Sequence, residues 1–198
     1  MGKIFVIIGK SATGKDTVYK KLLEDRELNL KTCITYTTRP IRDSETNGVE
    51  YFFVDEEVLN KFQKENKIIE HRSYNTMHGV WHYFTANDGQ IKLDEANYLM
   101  LGTLESFIQI RDYFGAENVI PIYLEVEDGK RLIRAVMREQ KQKQPKFAEV
   151  CRRFLADEED FSEENLKKAG ITKRFINDDL NICLNELAAE LKKYTVNT

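Results

Sequence analysis

The feature that most constrains this chain is a glycine-rich loop placed directly after its first apolar run. Residues 4–8 are all apolar and mostly β-branched, which predicts a strand buried on both faces, as in a parallel sheet. Residues 9–15 then read G-x-x-x-x-G-K, and Val18, Leu22 and Leu23 begin a helical period. Strand, loop and helix in this order are the setting in which such a loop holds phosphate groups. The sequence therefore predicts a site near the N-terminus that binds the phosphates of a nucleotide.

The composition of this P-loop indicates how its residues would act. Gly9 and Gly14 let successive backbone N–H groups converge on a phosphate chain, and the N-terminus of the helix adds partial positive charge. Lys15 would bridge the β- and γ-phosphates as a point charge. Asp16 stands where Ser or Thr usually ligates Mg²⁺, and a carboxylate can bind that ion directly or through water. Asp16 is therefore the candidate magnesium ligand, and Thr17 offers a hydroxyl one place later.

Size, charge and cysteine content limit the kinds of protein this chain can be. A length of 198 residues is enough for one α/β domain with a full core. The net charge of −3 argues against a nucleic-acid-binding surface. Three widely spaced cysteines without a C-x-x-C pair predict reduced, mostly buried thiols in a cytoplasmic protein. The first apolar run is too short for a signal peptide or a membrane span, so no membrane partner is expected.

The apolar periodicity predicts an α/β core interrupted by a β-rich insert. Residues 32–37 are predicted to form one strand ended by Pro40, and three more short strands are predicted before residue 86. Strands then alternate with helices to the end of the chain, with Asp55 and Asp128 as predicted helix caps. The predicted organisation is one domain, with core residues 1–30 and 86–198 and the insert at residues 31–85.

A second motif follows the predicted P-loop helix. Residues 35–42 read T-Y-T-T-R-P-I-R and are followed by Glu45, Gly48, Tyr51 and Phe53. This run resembles the guanylate kinase family, which follows its P-loop with S-x-T-T-R-x-x-R in a small GMP-binding domain. The resemblance covers most of the chain. It implies a P-loop NTPase-type three-layer core with a central parallel sheet, an acceptor-binding insert and a helical lid near residues 130–160. It also implies phosphoryl transfer from ATP to GMP, with Mg²⁺ as cofactor.

The resemblance assigns acceptor-binding roles in the first half of the chain. Arg39, Arg42 and Tyr51 fall on the positions that hold the GMP phosphate, a task that suits bidentate guanidinium groups. Glu70 matches the glutamate that accepts hydrogen bonds from the guanine edge. The family's tyrosine-glycine-serine or threonine motif is assigned to residues 78–80, His-Gly-Val, where only the histidine side chain can hydrogen-bond. The predicted GMP-binding residues are Thr35, Arg39, Arg42, Tyr51, Glu70 and His78.

The resemblance also assigns residues in the second half. Arg134 and Arg138 resemble the arginines that border the lid, and Arg152 and Arg153 resemble the basic pair on its returning helix, with Arg131 as a further candidate. The Asn-Asp pair at residues 177–178 resembles the family's contact to the adenine of ATP. The predicted catalytic residues are Lys15, Arg39, Arg134, Arg138 and Arg153, and the predicted ATP-binding residues are Gly9, Ser11, Ala12, Thr13, Gly14, Lys15, Asp16, Thr17 and Asn177.

Three positions depart from the family pattern and leave alternatives open. Besides Asp16 and residues 78–80, the family's L-D-x-D strand end is matched by residues 101–105, Leu-Gly-Thr-Leu-Glu, where Thr103 or Glu105 would serve in part. One alternative is a kinase for a different monophosphate. Another is a non-catalytic guanylate-kinase-like module that binds nucleotides or proteins. The retained P-loop glycines and lysine favour the enzyme. The sequence gives no information about the oligomeric state.

Overall fold

A computed structural model describes residues 1–43, 45–76 and 79–194. Its main sheet is built from β1 (Ile4–Ile8), β2 (Leu30–Thr32), β7 (Asn97–Leu101), β8 (Val119–Glu125) and β9 (Arg174–Ile176). All neighbouring strands pair in parallel, in the order β2-β7-β1-β8-β9. The predicted α/β class with a central parallel sheet is confirmed.

Helices cover both faces of this sheet. The helices of the described residues are α1 (Lys15–Glu24), α2 (Glu56–Lys64), α3 (Leu104–Phe114), α4 (Asp128–Gln140), α5 (Phe147–Asp160), α6 (Glu163–Lys168) and α7 (Leu180–Leu191). Buried residues of α1 and α7 join one core cluster, and buried residues of α3 and α6 join a second cluster. The two clusters make three layers, helix on sheet on helix. The short helix α6 was not expected from the sequence.

Strand β1 lies at the centre of the sheet because its side chains are apolar on both faces. Phe5 and Ile7 belong to the cluster with α1 and α7, whereas Ile4, Val6 and Ile8 belong to the cluster with α3. Every residue of β1 is at most 1% exposed. Alternation along a strand sends successive side chains to opposite faces, so only an unbroken apolar run fits between two helical layers.

A second sheet holds most of the predicted insert. It contains β3 (Tyr36–Thr37), β4 (Phe52–Phe53), β5 (Ile68–Thr76) and β6 (Gly79–Ala86), in the order β4-β3-β6-β5. Strands β5 and β6 form an antiparallel hairpin, and helix α2 packs on the sheet through a small buried cluster. The division of the chain into core, insert and lid remains a prediction.

The single strand predicted at residues 32–37 is wrong. Strand β2 ends at Thr32 and pairs with β7 in the main sheet, whereas β3 begins at Tyr36 and pairs with β4 and β6 in the second sheet. Between them, the side chain of Gln90 accepts a hydrogen bond from the Ile34 N–H at 2.9 Å and donates one to its carbonyl at 3.2 Å. A side chain therefore replaces a strand partner here, which local composition cannot indicate.

The helix caps agree with the sequence in one case and differ in another. Asp55 caps α2 as predicted, accepting a hydrogen bond from the Val58 N–H. Helix α4 is capped by Glu127 instead of Asp128, because the Glu127 carboxylate accepts from two N–H groups of the first turn. Asp128 is thereby free to bond Arg131, with 2.5 Å between Oδ1 and Nε.

Other general expectations concern the thiols and the helices. Cys33 and Cys183 are buried, Cys151 is exposed, and none of the three forms a disulfide. Burial raises the pKa of Cys33 to about 12. Within residues 1–43, 45–76 and 79–194, every helix is too short or too polar to cross a bilayer.

Candidate active site

The P-loop joins β1 to α1 at the carboxyl edge of the main sheet. The strand order reverses beside β1, and such a switch point leaves a crevice where ligands bind in α/β sheets. Gly14 has a φ of 88°, and a Cβ there would lie 2.6 Å from the Asn177 side-chain nitrogen. Both the backbone conformation and the close approach of Asn177 therefore require glycine at this position.

The loop is held in shape by internal hydrogen bonds. The Lys15 ammonium donates to the carbonyls of Gly9 at 2.7 Å and Lys10 at 2.9 Å. Asn177, the predicted adenine contact, is 5% exposed and donates through its amide nitrogen to the Thr13 carbonyl at 2.8 Å. Burial lowers the pKa of Lys15, and nearby carboxylates offset part of that effect. The phosphate cradle is thus preorganised, and Asn177 is part of its support.

A small cavity brings together five of the predicted ATP-binding residues and two of the predicted catalytic arginines. Its volume is about 160 Å³, and it is lined by Ala12, Gly14, Lys15, Asp16, Thr17, Arg134 and Arg138. The lining carries three cationic side chains and one carboxylate, a balance that favours a polyanion. Arg134 and Arg138 therefore lie beside the P-loop, and their catalytic roles remain predictions.

The same cavity provides donors of the kind that Mg²⁺ prefers. Asp16 and Thr17 are exposed on the first turn of α1, so their oxygens can reach a bound ion. Mg²⁺ is usually held by one or two carboxylates together with substrate phosphates and water, so this set fits the ion. No group of three or more His, Cys, Asp or Glu side chains that would form an all-protein metal site occurs among the described residues.

An acidic pair at the end of α5 contacts the P-loop, which the sequence did not suggest. The Ser11 N–H donates to Asp157 Oδ2 at 2.7 Å, and the Lys10 ammonium pairs with Glu158 at 2.6 Å. Arg131, 1% exposed, lies behind both carboxylates and forms ion pairs with them. One P-loop amide that could bind phosphate is therefore bonded to a carboxylate from the predicted lid.

The other predicted lid arginines lie away from this cavity. Arg152 and Arg153 are 66% and 55% exposed, and both donate at 2.8 Å to Glu149 on their own helix. These bonds, first that of Arg152, lower the pKa of Glu149 to about 2. The structure does not bring Arg153 to the P-loop, so its catalytic role remains a prediction that requires movement of α5.

The predicted acceptor-phosphate residues meet on the second sheet. Arg39 is 3% exposed and forms a bidentate pair with Glu45, at 2.8 and 3.0 Å. Its guanidinium carbon lies 5.7 Å from the centre of the Tyr51 ring and 5.4 Å from that of Phe53. The Arg39 Nε is buried without a hydrogen-bond partner. Arg42 also reaches Glu45, through its backbone N–H at 2.9 Å, while its side chain is exposed.

The predicted base-recognition residue lies on one face of the hairpin formed by β5 and β6. Glu70 is 1% exposed and pairs across the strands with Thr85, whose hydroxyl donates to Oε1 at 3.0 Å. Two pairs further along, on the same face of the hairpin, Arg72 faces Tyr83 and binds Glu70, with 2.9 Å between Nε and Oε2. The Tyr83 ring lies 5.6 Å from the Tyr51 ring. The base end and the phosphate end of the predicted acceptor site are therefore continuous.

Tyr83 and Thr85 are candidate functional residues that the sequence reasoning missed. They preserve a tyrosine and a threonine two residues apart, the pattern that was assigned to residues 78–80. His78 itself lies outside the described residues. Thr35 is half-buried in the turn before β3, where its carbonyl accepts from the Phe52 N–H at 3.0 Å. The hairpin of β5 and β6 is longer than expected, so the motif was assigned to residues 78–80 instead of residues 83–85.

Comparison with known proteins agrees with this geometry. A family model described as guanylate kinase matches residues 1–84. A guanylate kinase of Porphyromonas gingivalis is 28% identical over 196 residues, which are 98% of this chain and 98% of that protein. The chain is therefore similar to guanylate kinases along nearly its whole length. A guanylate kinase of Malacoplasma penetrans is 32% identical over 126 residues, and these make up 62% of each chain.

A solved guanylate kinase structure shares the fold of this chain. The crystal structure of guanylate kinase from Anaplasma phagocytophilum matches with a TM-score of 0.66, covering 99% of this chain and 88% of that chain at 20% identity. The family model ends within β6, so it includes the P-loop and the predicted GMP-binding residues but not the predicted lid. The helical half of the chain is matched by the full-length relative and by the fold.

One departure from the guanylate kinase pattern has a steric reason. A Cβ at Gly102 would lie 2.6 Å from Ser106 Oγ and 2.9 Å from Val6 Cγ1, so an aspartate there would require both side chains to shift. Thr103 caps α3, accepting from the Ser106 N–H at 3.2 Å. The residues after β7 therefore pack against β1 and cap α3 in this chain. The predicted acceptor site has no carboxylate at position 102.

Proposed function

We propose that this chain transfers the γ-phosphoryl group of ATP to GMP, with Mg²⁺, to give ADP and GDP. The observation that carries the proposal is the buried Arg39 with an unsatisfied Nε, on an aromatic face, in a chain that also has a preformed P-loop. A buried polar N–H without a partner costs free energy, and the oxygen of a bound phosphate would supply that partner. Two phosphate sites in one chain are what a nucleoside monophosphate kinase requires.

The donor nucleotide binds at the P-loop in this proposal. The loop amides and Lys15 hold the β- and γ-phosphates, and Asn177 keeps the loop in shape from behind. Asp16 and Thr17 would hold Mg²⁺, which neutralises charge on the phosphates when bound. Arg134 and Arg138 line the same cavity and stabilise the charge on the group in transfer.

The acceptor binds on the second sheet. Arg39, Arg42, Tyr51 and the newly found Tyr83 hold the GMP phosphate, while Glu70 accepts from the guanine edge. An oxygen of the acceptor phosphate attacks the γ-phosphorus, and the bond to the ADP oxygen breaks. The acceptor is already an anion, so no general base is needed, and positioning with electrostatic stabilisation supplies the catalysis. The lid closes to exclude water, which would otherwise hydrolyse ATP.

The decisive experiment is a coupled assay of ADP release from Mg-ATP against a panel of nucleoside monophosphates. We expect rapid turnover with GMP and little with AMP, CMP or UMP. Lys15→Ala is the negative control: it should lower kcat by about 100-fold or more, since it removes a transition-state charge contact, while circular dichroism should show an intact fold. Near-wild-type turnover in this variant would overturn the P-loop assignment.

Two alternatives remain as outcomes of the same assay. The close packing around Gly102 favours testing acceptors other than GMP. Turnover with another monophosphate would change the assigned substrate and leave the mechanism unchanged. ATP binding without any turnover would indicate a non-catalytic nucleotide-binding module. The cytoplasmic location, and the expectation that neither nucleic acid nor membrane is a partner, remain predictions.

A further inference from the structure

The carboxylate assigned to base recognition does not stand alone in the acceptor site. Arg72 binds Glu70 through Nε at 2.9 Å and through Nη2 at 3.4 Å, and its side chain is only 12% exposed. Burial by itself would lower the pKa of Arg72, but the Glu70 carboxylate raises it, so the guanidinium stays charged. A bound base that reaches Glu70 must therefore meet this cation as well.

Arg72 occupies the middle of the acceptor face. Its guanidinium carbon lies 5.9 Å from the centre of the Tyr83 ring, and Tyr83 in turn packs on Tyr51 at the phosphate end. Cross-strand pairing sets Arg72 next to the pair of Glu70 and Thr85 on the same face of the hairpin. The face therefore presents a hydrogen-bond acceptor, the carboxylate, with a fixed donor immediately beside it.

The donor capacity of these groups differs. Thr85 has a single O–H, which it donates to Glu70 Oε1. Arg72 has five N–H donors, of which its bonds to Glu70 use two. Arg72 is therefore the group on this face with donors to spare for a base.

Guanine matches an acceptor and donor placed side by side. Its N1–H and 2-amino groups are donors, and O6, next to N1–H, is an acceptor that arginine commonly binds. Adenine reverses this edge, with an amino donor where guanine has O6, so it would set its N–H₂ against the guanidinium.

We propose that Arg72 is a specificity-determining residue that selects 6-oxopurine nucleotides by donating to O6 while Glu70 accepts from the N1–H edge. The proposal rests on the proposed function, because it assumes that the acceptor is a purine monophosphate. It differs from a purely structural role, in which Arg72 only neutralises Glu70. The two roles predict different responses to removal of O6 from the ligand.

The test measures binding of three monophosphates by calorimetry without ATP, for the wild type and Arg72→Met. GMP and IMP carry O6 and N1–H, whereas 2-aminopurine riboside 5′-monophosphate keeps the 2-amino group and lacks both O6 and N1–H. We expect Arg72→Met to weaken the binding of GMP and IMP by roughly 10- to 100-fold, the range of a good arginine–base contact. Binding of the 2-aminopurine nucleotide should weaken by less than about twofold. Any difference in intrinsic affinity between ligands cancels, because each ligand is compared with itself.

Equal weakening of all three nucleotides, or no weakening of GMP, would overturn the role of Arg72. Arg72→Met leaves a buried carboxylate unpaired, so Arg72→Lys, which keeps the charge but lacks the fork, serves as a second variant. It should show the same ordering with a smaller loss, with ATP binding and melting temperature unchanged. Wild-type protein that binds no purine monophosphate would instead refute the proposed function, so the two failures are distinguishable.

Discussion

At the scale of single residues, Arg39 explains how a charged site persists inside the second sheet. Burial disfavours its charge, but the bonds to Glu45 and the neighbouring Tyr83 hydroxyl raise the pKa of the guanidinium. The bidentate pair with Glu45 leaves Nε unsatisfied. Glu45 thus keeps Arg39 ionised and oriented without consuming all of its donors, and the buried Nε–H is left without a partner.

Arg39→Ala should therefore weaken the binding of GMP far more than the binding of ATP. A hydrogen bond to a charged group contributes about 1.5–3 kcal/mol, so we expect KM for GMP to rise roughly 10- to 100-fold. The KM for ATP should change by less than about threefold, because the contacts of Arg39 lie on the second sheet. Steady-state kinetics with each substrate varied in turn would measure both. Equal losses for the two substrates would place Arg39 outside the acceptor site.

At the scale of elements, helix α7 supports the P-loop, although the two are far apart in the sequence. Cys183, Leu187 and Leu191 of α7 are fully buried at four-residue spacing and pack in the cluster that contains Phe5 and Ile7 of β1. Asn177, which supports the loop, lies between β9 and α7. Packing of α7 is thus coupled to the strand that presents the P-loop.

Leu187→Ala should destabilise the whole domain. Removing a fully buried leucine side chain typically costs about 2–5 kcal/mol, through lost burial and the cavity left behind. Ile182→Ala on the same helix is the matched control, since Ile182 is 68% exposed and its loss should change stability by less than about 0.5 kcal/mol. Urea unfolding followed by circular dichroism would measure both. Similar values for the two variants would mean that α7 is not part of the cooperative core.

At the scale of the whole molecule, the contact between α5 and the P-loop connects the predicted lid to the nucleotide site. The Ser11 N–H and Asp157 are 146 residues apart in sequence, and Arg131 on α4 fixes Asp157 from behind. A nucleotide phosphate at this amide must displace the carboxylate, and the two anions repel each other. In this arrangement Asp157 competes with ATP until the lid rearranges.

Asp157→Asn should therefore tighten ATP binding. Loss of one charged hydrogen bond in the unliganded state, worth about 1.5 kcal/mol at the low end, would lower Kd for ATP by up to roughly tenfold. Glu159→Gln removes the same charge from the exposed side of α5 and should have little effect. Calorimetric titration of ATP would compare them. Identical behaviour of the two variants would assign the effect to net charge alone, and GMP binding should be unchanged in both.

The sequence by itself determined those parts in which structure and chemistry are local. An apolar run followed by a glycine loop and a helical period predicts β1, the P-loop and α1, because strand burial, glycine conformation and helix polarity are properties of neighbouring residues. The run from Thr35 to Tyr51 predicts the acceptor-phosphate residues through its resemblance to the guanylate kinase family. Both predictions needed no knowledge of distant contacts.

The tertiary structure alone decided which distant residues meet. The pairing of Glu70 with Thr85 and of Arg72 with Tyr83 depends on hairpin register, and a shift of one residue would turn each side chain to the opposite face. The division of residues 32–37 between two sheets and the contact of Asp157 with Ser11 depend on packing between separate elements. Local periodicity carries no information about register or docking, because those are fixed by loop lengths and by the energies of the completed core.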